Sequence, residues 1–134
     1  MALLVDANVL MYAAGGPHPL QAPSAAFLEH VADGRVEAAI DAEALQEILH
    51  RYRALNRWRE GRQLYDRART IVPAVIPITA AILDRARILL DEYSQLMARD
   101  ALHASVVQVH SLEGICSFDR DFDCIDGSRR IEPR

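Results

Sequence analysis

Acidic side chains follow three apolar segments of the sequence that are predicted to be strands. Asp6 comes directly after the first segment, Asp41 directly after the second, and Asp119 lies two residues beyond the last. The segments are Leu3–Val5, Val36–Ile40 and Gly114–Ser117. In a parallel sheet the carboxyl ends of the strands meet at one edge, which is where ligands bind. The spacing therefore predicts that these carboxylates point toward one site.

Each of these acids also has a purely structural alternative. Asp6 or Asn8 could cap the short turn that follows the first strand, and Asp41 could cap the helix predicted over Glu43–Leu55. The last acids, in SFDRDFDCIDG, could form an exposed acidic turn. Taken one at a time, the acids do not distinguish capping from ligand binding.

Asp100 lies at the start of a helix, predicted over Arg99–His110, that is apolar on nearly every side. Such a helix is buried, and a buried carboxylate needs a partner or becomes protonated. Arg99 is a poor partner for Asp100, because adjacent residues on a helix point about 100° apart. A functional role is therefore favoured for Asp100.

Glu47 is the acid that periodicity explains least well. The apolar arc of its helix consists of Leu45, Ile48, Leu49, Tyr52 and Leu55. Glu47 falls outside that arc, beside Arg51, so the helical pattern predicts that its carboxylate is exposed to solvent.

Four carboxylates in one cleft would repel one another and raise their own pKa values unless a cation neutralised them. Oxygen ligands without His or Cys at metal-binding spacing suit Mg²⁺ or Mn²⁺ better than Zn²⁺. A site of that kind polarises a phosphoryl oxygen and lowers the pKa of bound water. The residues therefore indicate metal-dependent phosphoryl-transfer chemistry.

The composition is typical of one cytoplasmic domain spanning residues 1–134. A chain of 134 residues buries roughly two-thirds of its unfolded surface. No apolar run reaches the roughly 20 residues of a membrane span, and no basic segment precedes a signal-like core. Cys116 and Cys124 lack CxxC spacing and are predicted to be buried, reduced thiols. The net charge of −4 argues against a protein that coats nucleic acid by bulk charge.

Strands and helices are predicted to alternate along the chain. A fourth strand is predicted at Val75–Ile78, and Thr79 is well placed to cap the helix after it. The predicted helices are Ala22–Ala32, Glu43–Leu55, Trp58–Ile71, Ala80–Tyr93 and Arg99–His110. This alternation predicts an α/β fold with a parallel sheet covered by helices, followed by a polar, turn-rich tail.

Four motifs, in this order and spacing, resemble a PIN domain, and in particular the VapC-like toxins of type II toxin–antitoxin pairs. They are LLVDANVLMYA, IDAEALQEILHRY, ARDALHAS and SFDRDFDCIDG. The resemblance implies a three-layer α/β/α fold with a central parallel sheet of four to five strands. It also implies endoribonuclease activity that depends on Mg²⁺ or Mn²⁺. By motif, the catalytic, metal-binding acids would be Asp6, Glu47, Asp100 and Asp119, supported by Asn8 and Ser117.

The sequence departs from the family pattern at two places. Asp41 stands where relatives often have Ser or Thr, so it is either an alternative cap or an additional acid at the rim of the pocket. The fourth metal ligand could be any of three nearby acids, Asp119, Asp121 or Asp123. Asp119 is favoured because it follows the strand most closely, with Asp123 as a candidate second-sphere or second-metal residue.

The expected partners are an RNA substrate, a VapB-like antitoxin and a second copy of the chain. The segment RYRALNRWREGRQLYDRAR holds seven arginines, of which Arg51, Arg53, Arg57 and Arg59 are the candidates for binding RNA phosphates. An ordinary charged helix face is the alternative, because acids in the same segment offset part of the charge.

Two other functions fit parts of the pattern. A PIN-like module that binds a partner without catalysis would keep the fold and lose the acids, yet all four expected acids are present. An acidic-pocket phosphatase or phosphotransfer protein would use a lysine, and this chain has none. DANVL also lacks the second aspartate of the phosphatase motif.

Overall fold

Five strands form one parallel sheet in the computed structural model, which describes residues 2–134. The strands are β1 (Leu3–Val5), β2 (Ala38–Asp41), β3 (Val75–Ile76), β4 (Gly114–Cys116) and β5 (Arg130–Ile131). Their order across the sheet is β3-β2-β1-β4-β5, and every neighbouring pair is parallel. The first strand of the chain is thus the central strand, with β2 on one side and β4 on the other.

Helices cover both faces of this sheet. They are α1 (Ala7–Ala14), α2 (Gln21–Ala32), α3 (Ala42–Ala54), α4 (Trp58–Ile71), α5 (Ala80–Glu92) and α6 (Ala98–Val109), with a 3₁₀ helix at Arg120–Cys124. Leu3 and Val5 pack in one core with the first four helices, whereas Leu4 packs in the other with α5 and α6. Successive strand side chains point to opposite faces, so β1 is buried on both. The three-layer α/β/α prediction is confirmed.

Side chains at the carboxyl edge of the sheet cap two of the helices. The N–H of Ala44 donates to Asp41 Oδ1 at 2.9 Å at the start of α3. The N–H of Ile82 donates to Thr79 Oγ1 at 3.3 Å at the start of α5. Both capping predictions are confirmed, and each cap satisfies a backbone donor that the helix itself leaves unpaired.

The structure differs from the sequence prediction in the short elements. Asp6 is followed by an eight-residue helix, α1, where a short turn was predicted. The polar tail contributes a fifth strand, β5, of two residues that pair with β4. β2 begins two residues later than predicted and includes Asp41, whereas β3 and β4 begin where predicted and end earlier. Pairing with a neighbour decides these boundaries, and a two-residue strand is too short to show alternation in the sequence.

Both cysteines are free thiols, with Cys116 buried and Cys124 partly buried. Burial, followed by the charge of Asp6, raises the pKa of the Cys116 thiol to about 12. Within residues 2–134, no helix combines the length and the apolar character that crossing a membrane requires.

Gly61 of α4 lies directly against Tyr52 of α3. A Cβ placed on Gly61 would lie 2.4 Å from the Cβ of Tyr52, which is part of the buried core. The clash involves an atom next to the backbone, so a rotamer change of Tyr52 cannot relieve it. The packing of α3 on α4 therefore requires glycine here.

We predict that Gly61→Ala lowers the free energy of unfolding by about 2 kcal/mol, because overpacking of this size outweighs the gain in helix propensity. Chemical denaturation measures it. The matched control is Gly16→Ala, where a new Cβ meets nothing within 4 Å. Equal stabilities for the two variants would contradict this account of the α3–α4 contact.

Candidate active site

The carboxyl ends of β1 and β4 open into a cavity of about 560 Å³ that is bounded by α1, α3 and α6. Its lining contains five carboxylates, from Asp6, Glu47, Asp100, Asp119 and Asp121. It also contains three guanidinium groups, from Arg51, Arg57 and Arg99. The edge of the sheet where the acids were predicted to converge is therefore a cavity of mixed charge.

Ser117 joins the ends of the two central strands. Its hydroxyl donates to Asp6 Oδ2 at 2.7 Å and accepts from Asn8 Nδ2 at 3.2 Å. The same oxygen accepts the backbone N–H of Asp119 at 3.0 Å. The Asp6 side chain stands at the N-cap position of α1 but makes no capping hydrogen bond. The capping alternative for Asp6 is therefore wrong, because its carboxylate is held by Ser117 instead.

Asp100, Asp119 and Asp121 form a carboxylate cluster in the cavity, with one oxygen of each within 4.8 Å of the others. Burial is the main cause that raises the pKa of Asp100 to about 6, and the charges of Asp119, Asp6 and Asp121 add to it. Asp119 also caps the 3₁₀ helix, since its Oδ1 accepts the N–H of Asp121 at 2.9 Å. A cluster of this kind gains stability from any bound cation.

Asp123, the candidate second-metal residue, lies outside this cluster. Both of its carboxylate oxygens accept from Arg130, at 2.8 and 3.1 Å. This hydrogen-bonded pair holds the pKa of Asp123 below its ordinary value. The structure therefore places Asp121 beside Asp119, and not Asp123. Sequence spacing could not separate them, because the turn of the 3₁₀ helix decides which acid faces inward.

Glu47 lies in the cavity wall, where it forms an ion pair with Arg99 of α6. Its side chain is only 20% exposed, whereas its position on the helix predicted a solvent-exposed carboxylate. The space between α3 and α6 forms a groove rather than open surface, which periodicity within one helix cannot detect. Arg99 thus pairs with Glu47 of α3, across the groove, rather than with its sequence neighbour.

Asp41 is a cap and does not line the cavity, so of its two predicted roles the structure favours the structural one. Its second oxygen, Oδ2, lies 2.5 Å from Nδ1 of His103, and both side chains are buried. Sequence reasoning missed His103. The available signal was its place three residues after Asp100 on a helix that is otherwise apolar.

The arginines of the basic segment divide into two groups. Arg51 and Arg57 line the cavity, with Arg57 also paired to Glu60. Arg53 stacks on the ring of Trp58 at 4.6 Å. Arg53 and Arg59 are absent from the cavity lining. Two of the four candidate phosphate-binding residues therefore lie next to the acids.

Comparison with known proteins gives a consistent result over nearly the whole chain. The sequence profile of the PIN domain family matches residues 3–128. Ribonuclease VapC13 of Mycobacterium tuberculosis is 39% identical over 129 residues, which cover 96% of this chain and 98% of that protein.

Two solved structures share the fold. VapC20 of Mycobacterium tuberculosis, described as a sarcin-ricin loop cleaving toxin, matches with a TM-score of 0.79 and 16% identity over 98% of this chain and 100% of that one. VapBC2 of Rickettsia felis, bound to a DNA fragment from its promoter, matches with a TM-score of 0.78 and 17% identity over 100% of both chains. With the family profile and the 39% identical relative, these matches show that this chain belongs to the PIN domain family, among the VapC ribonucleases.

Proposed function

We propose that this chain is the endoribonuclease toxin of a toxin–antitoxin pair and that it hydrolyses RNA phosphodiester bonds with a divalent cation. The observation that carries the proposal is the convergence of carboxylates from β1, α6 and the segment after β4 on one cavity. The named activity of the VapC relatives supports it.

The proposed metal ligands are Asp6, Asp100 and Asp119, with Asp121 added by the geometry and Glu47 at the rim. The donors are all carboxylate oxygens, which suits Mg²⁺ or Mn²⁺. Asn8 Oδ1 fits the same picture, because it is buried without a hydrogen-bond partner among residues 2–134 and can accept from a hydrated ligand. A bound cation of this kind polarises a phosphoryl oxygen and lowers the pKa of water.

The protein residues then have distinct tasks. Ser117, which accepts from Asn8, holds Asp6 in one orientation, and this reduces the entropy lost when a ligand binds. Glu47 binds the cation or positions the attacking water, and its ion pair with Arg99 fixes where its carboxylate lies.

The arginines of the cavity would bind the RNA backbone. Arg51, Arg57 and Arg99 line the same cavity as the acids, so a phosphate can contact both groups at once. In-line attack of water on that phosphorus, with cleavage of the P–O3′ bond and the 3′ oxygen as the leaving group, would leave a 5′-phosphate and a 3′-hydroxyl, as the family resemblance implies.

A VapB-like antitoxin is the proposed inhibitor, in keeping with solved neighbours that are toxin–antitoxin complexes. An arginine from that partner could pair with the carboxylates of the cavity in place of a cation. We also propose that the chain forms a homodimer and acts in the cytoplasm, where its RNA substrate and antitoxin would be found.

We predict that Asp6→Asn and Asp100→Asn each reduce Mg²⁺-dependent RNA cleavage roughly 100-fold or more, because a lost ligand removes several kcal/mol of transition-state stabilisation. Cleavage of labelled RNA by the purified proteins measures this. Asp91→Asn is the matched control, since Asp91 is an exposed acid on α5. Equal activity in all four proteins would reject the proposed site, and a wild-type chain that binds RNA without cutting it would favour the inactive binding module.

We predict that Asp121→Asn weakens Mn²⁺ binding several-fold, whereas Asp123→Asn changes it by less than twofold. Asp121 belongs to the carboxylate cluster with Asp100 and Asp119, whereas Asp123 forms an ion pair with Arg130. Titration of free Mn²⁺ by electron paramagnetic resonance compares the two variants directly. The reverse order would show that the acids of the tail are arranged differently when metal is bound.

We predict that Asp100→Asn stabilises the metal-free protein at pH 7. The pKa of Asp100 rises from 3.8 to about 6 on folding, so its stabilising contribution is complete below about pH 4 and is lost as the pH rises through 6. The asparagine side chain does not ionise, so the variant does not lose this stability at pH 7. We expect its free energy of unfolding to exceed that of the wild type by about 1–2 kcal/mol, after allowance for solvent screening.

Thermal melts between pH 4 and pH 8, in chelator and then in Mn²⁺, provide the measurement. We expect Mn²⁺ to raise the melting temperature of the wild type and to have little effect on Asp100→Asn. A wild-type protein whose metal-free stability rises with pH between 4 and 7 relative to the variant would contradict the assigned pKa direction.

A further inference from the structure

Arg130 of β5 is a nearly buried arginine that the proposed function does not use. Its side chain is only 11% exposed. Arginine is almost never this buried unless its guanidinium is paired. The partners of this guanidinium therefore indicate what the residue does.

The guanidinium of Arg130 contacts both ends of the segment that carries Asp119 and Asp121. At the start of the segment, Nη1 donates to the backbone carbonyl of Ser117 at 3.2 Å. At the end of the segment, Nε and Nη2 donate to the two carboxylate oxygens of Asp123, at 2.8 and 3.1 Å. One side chain therefore connects the two ends of the segment.

These contacts are directional. Paired hydrogen bonds from the planar guanidinium fix the orientation of a carboxylate as well as its position. Glu132 Oε1 accepts from Nη1 at 3.1 Å and so restrains the guanidinium itself. Phe122 also anchors the segment, but by packing in the apolar core, which is a non-directional interaction. Arg130 is therefore the contact that sets the direction in which the acids of this segment point.

The start of the segment is joined to the candidate metal site through Ser117. Its Oγ accepts the N–H of Asp119 at 3.0 Å, and Asp119 Oδ1 accepts the N–H of Asp121 at 2.9 Å. The same Oγ donates to Asp6 Oδ2 at 2.7 Å. Because the carbonyl that Arg130 contacts belongs to the same residue as this hydroxyl, displacement of Ser117 would disturb all of these bonds.

We propose that Arg130 is a positioning residue of the metal site, which holds the segment between Ser117 and Asp123 so that Asp119 and Asp121 face the cavity. Arg130 does not line the cavity, so it acts through these acids and not on a ligand directly. The inference rests on the proposed function, because it concerns the ligands of the same cation.

The direction of the effect on cation binding distinguishes this role from a simple charge effect. A guanidinium near carboxylates repels a cation, so by charge alone its removal would strengthen Mn²⁺ binding. Removal of Arg130 would also release Asp123 as an additional acid. If Arg130 positions the ligands, its removal instead weakens Mn²⁺ binding, because the acids must then be ordered when the ion binds.

Arg130→Leu and the double variant Asp123→Asn/Arg130→Leu test the proposal. Leucine removes every donor of the guanidinium, and asparagine prevents a released Asp123 from joining the site. We expect both variants to bind Mn²⁺ roughly 10-fold more weakly than the wild type in electron paramagnetic resonance titrations. Asp123→Asn alone keeps one oxygen that accepts from Arg130, so its effect is smaller.

Arg129→Leu is the matched control. Arg129 is the neighbouring arginine, it is 68% exposed, and it pairs with Glu113 at 3.6 Å. Glu113 lies just before β4, at the opposite end of that strand from Ser117. The control removes the same charge, and we expect its Mn²⁺ affinity to equal that of the wild type. Thermal melts establish that each variant is folded at the temperature of the titration.

Amide hydrogen exchange of the metal-free protein, followed by nuclear magnetic resonance, gives a measurement that does not depend on a bound ion. In Arg130→Leu we expect the N–H groups of Asp119 and Asp121 to exchange roughly 10-fold faster or more, because their acceptors are no longer held. The N–H of Ala44, which donates to Asp41 at the start of α3, should keep its wild-type rate. Equal acceleration of all three would show a general loss of stability and would contradict the positioning role.

Arg130→Lys keeps the proposal testable if Arg130→Leu fails to fold. Lysine keeps the positive charge but cannot make the forked contact with Asp123. We expect this variant to bind Mn²⁺ several-fold more weakly than the wild type.

The outcomes separate this inference from the proposed function. A wild-type chain that neither binds Mn²⁺ nor cuts RNA would overturn the proposed function itself. A wild-type chain that does both, with a folded Arg130→Leu or Arg130→Lys variant that binds Mn²⁺ as tightly or more tightly, would overturn only the role of Arg130.

Discussion

The hydrogen bond from Ser117 to Asp6 ties together the carboxyl ends of the two central strands, and the candidate site depends on it. The two residues are far apart in sequence, yet β1 and β4 are direct neighbours in the sheet. The same hydroxyl also accepts from Asn8 and from the backbone of Asp119. One buried oxygen therefore sets the relative positions of two candidate metal ligands and their supporting amide.

The second constraint on the site is electrostatic. Burial first, and then the charges of the neighbouring carboxylates, raise the pKa of Asp100. Three arginines, Arg51, Arg57 and Arg99, line the same cavity as these acids. Closely spaced carboxylates of this kind cost folding stability, and a bound cation would offset that cost.

Sequence reasoning predicted the parts of this protein that depend on strong local patterns. The long helices and the buried first strand follow from apolar periodicity, and the cap at Thr79 follows from its residue type and position. It did not predict β5, because two residues carry no pattern. It also missed the link between Asp41 and His103, which are 62 residues apart and meet only when α6 packs against the start of α3.

The sequence by itself determined the class of fold and the set of candidate acids, because the hydrophobic pattern and the residue types can be recognised in short segments of the chain. The tertiary structure alone decided how those acids are used. In the folded chain, Asp121 lines the cavity and Asp123 pairs with Arg130. Glu47 lies in a groove, and Asp41 contacts the ring of His103. These positions depend on how separate helices and strands pack together. That packing is stabilised by contacts between residues that are distant in sequence, which a local pattern cannot show.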